Sequence, residues 1–243
     1  MARLYLFAEG QTEQIFARRV LTPHLAVFKV YLHHPVLVAN ARKKGVVHRG
    51  GGRGYLPMKN DIVRFLRQDS SSEAFFTTMI DLYAIHPDFP GLSDAERLRN
   101  SPPSRVEYLE KVFAQDLCDR RFIPYIQLHE FEAYLFSQPE QFRLYYPTAD
   151  RPIAALKAIA EQYPTPELID DGRQTAPSKR IVSELPDYED AKPVVGTQVA
   201  EAIGLDVIRQ KCPHFNSWLS KLETLAGSIV HLSQPVSDRL PIE

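Results

Sequence analysis

The sequence is poor in several features that define whole classes of proteins. Only two cysteines, Cys118 and Cys212, occur in 243 residues, which is too few for a disulfide framework and does not match a metal-ligand spacing. No apolar run approaches the roughly 18 residues that cross a bilayer, and the N-terminal apolar run is too short for a signal peptide. We therefore expect a cytoplasmic protein that makes no membrane contact.

The remaining composition is that of a globular protein, with an uneven distribution of charge. Hydrophobic residues make up 44% of the chain, and the net charge is −1. Between residues 42 and 67, however, eight Lys or Arg stand against one acid, Asp61. Such a stripe is typical of a site for a polyanion, with Lys44, Arg49 and Arg53 as candidate phosphate contacts. The alternative is a solvated helix face beside a basic loop.

Strand-like and helical segments alternate over the first half of the chain. Four tracts have the apolar runs of strands: residues 3–9, 27–38, 74–81 and 122–127. Helices are predicted from Thr12 to near Pro23, over 57–68 and 105–117, and from near His129. This order predicts an α/β fold with a mostly parallel sheet flanked by helices.

The pattern of predicted secondary structure changes after residue 138. Strand-like runs disappear, and short helical segments separated by proline dominate. We therefore divide the chain into an α/β core, residues 1–138, and a helical C-terminal subdomain, residues 139–243. Five large apolar residues in this second part recur at spacings of three and four and predict a buried helix face: Phe215, Trp218, Leu219, Leu222 and Leu225.

Carboxylates follow the predicted strands at the ends where ligands bind in an open parallel sheet. Glu9 ends the first strand before Gly10, and Asp81 ends the strand 74–81. Nearby stand four further polar residues: Glu13, His129, Glu130 and Glu132. Because carboxylates gathered at one edge repel one another unless a cation binds them, the pattern predicts a site for Mg²⁺ or Mn²⁺. A metal site of this kind beside a basic segment that holds a phosphodiester backbone is typical of a nuclease.

Several of these residues also have a simpler interpretation. Glu13, Glu130 and Glu132 lie in first helical turns, where a carboxylate complements the helix dipole without further purpose. His129 fits a metal ligand, a general base or a structural histidine at the edge of the core.

The glycine-rich stretch from Gly45 to Gly54 has the outer spacing of a Walker A loop but not its chemistry. Gly51 and Gly52 stand where Lys and Ser or Thr are required, so the chain is not expected to hydrolyse ATP by that route. The glycines suit a mobile basic loop that closes on a polyanion, or a disordered surface loop.

Residues 6–13, Leu-Phe-Ala-Glu-Gly-Gln-Thr-Glu, resemble the opening motif of Toprim-related proteins. The whole chain resembles a bacterial Toprim-like family whose members share five short motifs. In this sequence the motifs are residues 9–13, 45–54, 79–83, 127–133 and 177–180. The phrase Gln-Leu-His-Glu-Phe-Glu-Ala at 127–133 is the most specific of them.

The resemblance implies roles for individual residues. Glu9 matches the metal-binding glutamate of the first strand, Glu13 its companion, and Asp81 the first aspartate of an Asp-x-Asp motif. Tyr83 stands where the second aspartate is expected. Either Asp88 or Glu130 replaces that ligand, or the metal site is degenerate.

Relatives of this family, in the overcoming-lysogenization-defect nuclease group and in ATPase-linked phage-defence systems, are nucleases. The resemblance thus implies a Mg²⁺- or Mn²⁺-dependent nuclease of DNA or RNA that works with a partner ATPase. Catalysis is expected from Glu9, Glu13, Asp81, His129 and Glu130, with Glu132 as a further metal ligand. Nucleic acid is expected at Lys44, Arg49, Arg53, Lys179 and Arg180. The alternatives are a non-catalytic subunit that binds nucleic acid or the ATPase, and a scaffold.

Overall fold

A computed structural model describes residues 1–38, 54–169, 172 and 174–227. In this part of the chain, six strands form one parallel sheet: β1 (Ala2–Ala8), β2 (Val30–Leu32), β3 (Val36–Leu37), β4 (Ala74–Asp81), β5 (Phe122–Ile123) and β6 (Ile126–Gln127). β1 pairs with β2 and β3 on one side and with β4 on the other, and β4 pairs with β5 and β6. The predicted α/β class and parallel sheet are confirmed.

Helices connect these strands and make up the C-terminal part. They are α1 (Gln11–Phe16), α2 (Thr22–Val27), α3 (Tyr55–Gln68), α4 (Leu92–Ala95), α5 (Pro102–Leu117), α6 (Asp150–Ala160), α7 (Pro177–Glu184), α8 (Tyr188–Ile203), α9 (Leu205–Lys211) and α10 (Pro213–Glu223). The predicted helical C-terminal region is thereby confirmed. Among the described residues, no helix is both long and apolar enough to cross a membrane.

The sheet separates two apolar cores, as the alternation of side chains along a strand requires. β1 directs Leu4 and Leu6 into the first core and Phe7 into the second. α1 and α10 cover the first core with Phe16 and Phe215, among others, whereas α3 and α5 cover the second. Helices therefore lie on both faces of the sheet.

The C-terminal helices pack directly on the sheet. All five residues of the predicted apolar face of α10 and its continuation are buried. They share the first core with Leu4 and Leu6 of β1, and Trp218 Nε1 donates a hydrogen bond to Thr77 Oγ1 of β4 at 2.9 Å. The parts on either side of residue 138 thus contribute to one continuous core.

Proline affects the elements in two different ways. The strand-like tract 27–38 is interrupted near Pro35, giving the separate strands β2 and β3. The predicted helix end near Pro23 is wrong, because the helix continues to Val27. A π-helical turn over Ala17–Leu21 precedes this proline. The wider turn relieves the clash between the proline ring and the carbonyl of the preceding turn.

Candidate active site

The parallel pairing of β1 with β4 brings the ends of these strands together. Ala8 lies opposite Met79 in the register, and the Glu9 N–H donates to Met79 O at 3.0 Å. The side chain of Glu9 then turns onto the end of β4, where its Oε2 accepts a hydrogen bond from Asp81 N at 2.7 Å. The two residues that sequence analysis placed at the carboxyl ends of strands are therefore in direct contact.

Glu13 is fixed beside this pair by the glycine that follows Glu9. Its Oε2 accepts a hydrogen bond from Gly10 N at 2.8 Å. A Cβ atom on Gly10 would lie 2.9 Å from that oxygen, so a side chain at position 10 would force the carboxylate to shift. Burial, together with the charge of Glu9, raises the pKa of Glu13 to about 7. The hydrogen bond to Gly10 N caps the start of α1.

Asp81 is in the least favourable environment for a negative charge. Its Oδ1 is buried and has no hydrogen-bond partner in the described part of the chain. Burial raises the pKa of Asp81 well above its ordinary value, and the charges of Glu9 and Glu13, followed by those of Glu132 and Glu130, raise it further. We refer to five carboxylates together as the carboxylate cluster: Glu9, Glu13, Asp81, Glu130 and Glu132.

His129 forms the turn that leads from β6 to the last two carboxylates. It is 3% exposed and has a φ of 64°, in the left-handed region that is uncommon for a residue with a side chain. Its carbonyl accepts a hydrogen bond from Tyr83 N at 3.2 Å, which ties the turn to the end of β4. The helix predicted from near His129 follows as a 3₁₀ helix over Phe131–Ser137.

The C-terminal helices complete the surroundings of the cluster. Ser178 N, in the first turn of α7, donates to Glu130 Oε2 at 2.9 Å, and the Tyr188 hydroxyl of α8 donates to Glu132 Oε1 at 3.4 Å. Burial and Glu130 raise the pKa of Glu132 to about 7, although the positive charge of Lys192 opposes this shift. Sequence analysis missed Tyr188 and Lys192, because they lie in a helix with no motif and reach the site only through tertiary packing.

The remaining candidates are found in different surroundings. Lys179 is exposed beside Ser178. The Arg180 guanidinium donates to Thr175 O at 2.6 Å and to the Tyr163 hydroxyl at 2.9 Å, which makes it a structural residue of α7. Lys44, Arg49 and Arg53 lie outside the described residues.

The structure also separates the two residues considered in place of the second aspartate. The Asp88 carboxylate accepts hydrogen bonds from Tyr55 N at 2.9 and 3.0 Å and thereby binds the start of α3. Glu130, by contrast, is close enough for its charge to raise the pKa of Asp81. Tyr83 is 49% exposed.

The donor chemistry of the cluster suits Mg²⁺ or Mn²⁺, which prefer oxygen ligands. Among the described residues, the buried Asp81 Oδ1 has no hydrogen-bond donor. As the side chains stand, however, no three His, Cys, Asp or Glu of these residues are arranged to hold a metal ion together. Glu9, Glu13 and Glu130 each direct one oxygen to a backbone N–H. Binding an ion through three of the carboxylates therefore requires side chains to move.

Comparisons with known proteins add a family assignment. No curated protein and no solved structure matches the chain. One family model, described as a domain of unknown function (DUF4276), matches residues 8–223. The match spans most of the chain and includes every residue of the carboxylate cluster. The protein therefore belongs to the DUF4276 family.

Proposed function

We propose that this protein is a Mg²⁺- or Mn²⁺-dependent nuclease that hydrolyses phosphodiester bonds of DNA or RNA. The observation that carries the proposal is the buried Asp81 Oδ1, which has no donor among the described residues and faces the charges of four glutamates. Such an arrangement is costly without a cation, and a divalent ion would offset both the missing hydrogen bond and the repulsion.

The ligands of the ion would come from the ends of β1 and β4. Glu9 and Asp81 are already in contact, and Glu13 is held one helical turn away. Glu130 would take the place of the missing second aspartate, with Glu132 completing the set. When bound, the metal would lower the pKa of a bound water and neutralise charge on the phosphate.

Two of these ligands would exchange protons for the ion. Glu13 and Glu132 each have a pKa raised to about 7, so they would be partly protonated before the ion binds and would release those protons to solvent as it binds. The Tyr188 hydroxyl and the Lys192 ammonium would orient Glu132 and limit the rise of its pKa. His129 would hold the backbone turn that directs Glu130 toward the cluster.

Nucleic acid would bind to basic side chains around the carboxylate cluster. Lys179 is exposed next to Ser178, whose N–H binds Glu130, and its ammonium would contact a backbone phosphate near the cluster. Lys44, Arg49 and Arg53 of the basic segment remain proposed contacts. Arg180 already donates to groups of its own chain and is a weaker candidate.

Cleavage of single- and double-stranded DNA and RNA tests the proposal, with Mg²⁺, Mn²⁺ or EDTA present. Wild type is expected to cut one of these polymers only with the metal. Asp81→Asn and Glu9→Gln are expected to lower the rate by about a hundredfold or more, as for loss of a metal ligand. Asp150→Asn is the matched control, since Asp150 is exposed and pairs with Arg143 on the surface. Metal-dependent cleavage that is unchanged in both site variants would contradict the proposal.

The second candidate is a non-catalytic subunit that binds nucleic acid or an ATPase. It is favoured by Tyr83 at the second aspartate position and by the lack of three grouped ligands among the described residues. In that case the chain would cut nothing and would still shift nucleic acid on a gel. The shift would weaken with salt and on replacement of Arg49 and Arg53 by Gln.

A role in phage defence beside a partner ATPase rests on the Toprim-like resemblance. The incomplete Walker A motif at residues 45–54 is in keeping with an ATPase supplied by another chain. Purification of the tagged protein from its own host is expected to retain an ATPase that stimulates cleavage. Recovery of the protein without any ATPase would contradict this part of the proposal.

A further inference from the structure

A second concave site lies beside the edge strand β5. It is a cavity of about 580 Å³ beside β5, with α5 as one wall and α10 as the other. This volume is typical of sites for small molecules. None of the five cluster carboxylates lines it.

The floor of the cavity is apolar and does not suit a peptide strand. Phe122, Ile123 and Trp218 form much of it. β5 is an edge strand, but Pro124 has no N–H to donate, and Phe122 N already donates to Asp119 O at 3.0 Å. A compact apolar group therefore fits this floor better than an added β-strand.

Two acidic residues in the cavity wall already have hydrogen-bond partners within the protein. Glu110 Oε1 accepts hydrogen bonds from Ile126 N at 2.8 Å and from His214 Nε2 at 3.0 Å. The oxygens of Glu167 accept from His214 N and Phe215 N, both at 2.9 Å, at the start of α10. These carboxylates do not require a cation from a ligand.

Two lysines of the cavity remain available. Lys111 of α5 and Lys221 of α10 are exposed on opposite walls, and neither forms an ion pair with another described residue. His214 Nε2 faces two acceptors, Glu110 and Ile126 O, and so donates its proton within the protein. Glu107 is the one acidic lining residue without such contacts among the described residues. Among the charged groups without a partner, two ammonium groups thus stand against one carboxylate, which favours an anion at the opening.

We propose that this cavity binds a small amphipathic anion, an apolar ring system that carries one acidic group. The ring would lie on Phe122, Ile123 and the edge of Trp218. The acidic group would lie between the ammonium groups of Lys111 and Lys221. This site is independent of the proposed nuclease activity and can be tested without it.

The single tryptophan of the chain, Trp218, is part of the cavity wall and serves as the energy-transfer donor. The probe is anilinonaphthalenesulfonate, and the readout is energy transfer from Trp218 to the bound dye. We expect saturable binding at one site, and about tenfold weaker binding, roughly 1.4 kcal/mol, when Lys111 and Lys221 are both changed to Gln. The uncharged analogue N-phenylnaphthylamine should bind wild type about tenfold more weakly than the sulfonate.

Two further variants separate the cavity from nonspecific dye binding. Ala114→Phe places a ring inside the cavity wall and is expected to abolish energy transfer without unfolding the protein, as judged by circular dichroism. Lys157→Gln, on the surface of α6, is the matched control and should bind the sulfonate as wild type does. Equal affinity for the charged and uncharged dyes, or wild-type energy transfer in Ala114→Phe, would overturn the proposal.

Discussion

The carboxyl group of Asp81 lies at the end of β4, where its buried Oδ1 has no partner among the described residues and its backbone N–H donates to Glu9. A carboxylate in such a place costs free energy unless it binds a proton or a cation. The same holds for Glu13 and Glu132, whose pKa values are raised to about 7. If the proposed function is correct, protons and a divalent ion compete for this cluster, and that competition is what allows acidic residues to be gathered in one place.

Gly10 offers a test of how precisely Glu13 has to be placed. In Gly10→Ala the new Cβ would lie 2.9 Å from Glu13 Oε2, so the carboxylate must shift from its present position on the Gly10 N–H. We expect about tenfold weaker Mn²⁺ binding, and a change of about 1 kcal/mol in the free energy of unfolding.

Calorimetric titration and urea denaturation measure these two quantities for Gly10→Ala. Gly227→Ala is the control, because a Cβ at position 227 meets nothing within 4 Å. Wild-type affinity for Mn²⁺ in Gly10→Ala would show that the position of Glu13 is irrelevant to metal binding.

Strand ends were the part of the site that could be predicted from the sequence. Glu9 and Asp81 follow apolar runs, and the parallel order of the strands brings those ends to one edge. Ser178, Tyr188 and Lys192 could not be identified in the same way, because no local pattern records which distant helix packs over a strand end.

At the level of elements, the end of a strand or helix was predictable where a local sequence pattern ends with it. The apolar run of β4 ends at Asp81, as the sequence indicates. The helix across Pro23 was not predictable, because its continuation depends on a π-helical turn that places Thr22 N against Ala17 O. The 3₁₀ helix after His129 likewise follows from a left-handed backbone turn that tertiary contacts impose.

The packing of α10 on the sheet depends on one buried polar contact. Thr77 Oγ1 accepts from Trp218 Nε1 at 2.9 Å and donates to Ile123 O at 2.6 Å. Thr77→Val leaves the buried indole N–H without an acceptor, so we expect a loss of about 1–3 kcal/mol in the free energy of unfolding.

Urea denaturation followed by Trp218 emission measures that loss. Ser104→Ala serves as the control, since its hydroxyl pairs with Ser101 at an exposed position. A Thr77→Val protein as stable as wild type would mean that the contact does not hold α10 to β4.

At the scale of the whole molecule, an apolar core covers each face of the sheet, and the carboxylate cluster lies at the carboxyl ends of its strands. Periodicity was enough to predict this arrangement, because buried strands and amphipathic helices are recorded locally in the sequence. The division of the chain at residue 138 followed composition, and composition does not identify α10 as the helix that shares a core with β1.

The raised pKa values predict how stability depends on pH when no divalent ion is present. Glu13 and Glu132 change from an ordinary pKa of 4.5 to about 7 on folding, so the folded state binds more protons than the unfolded chain between these values. Their stabilising contribution is complete below pH 4.5 and is lost as pH rises through 7. The free energy of unfolding in EDTA should therefore fall between pH 5 and 8, by on the order of a few kcal/mol.

Glu132→Gln isolates this effect, because a glutamine stays neutral over the whole range. Its stability in EDTA is expected to fall less steeply with pH than that of wild type. Saturating Mn²⁺ should flatten the wild-type curve as well, since the ion takes over the role of the protons. A wild-type stability in EDTA that rises between pH 5 and 8 would contradict the assignment of these pKa values.

Titration calorimetry of the full chain with Mn²⁺ at pH 7, in two buffers of different ionisation enthalpy, tests the central claim most directly. The account predicts saturable binding with release of protons, because Glu13 and Glu132 are partly protonated before the ion binds. Asp81→Asn should abolish this binding, and Asp150→Asn should leave it intact. Absence of saturable binding to wild type, or equal binding to Asp81→Asn, would contradict the claim that the carboxylate cluster is a metal site.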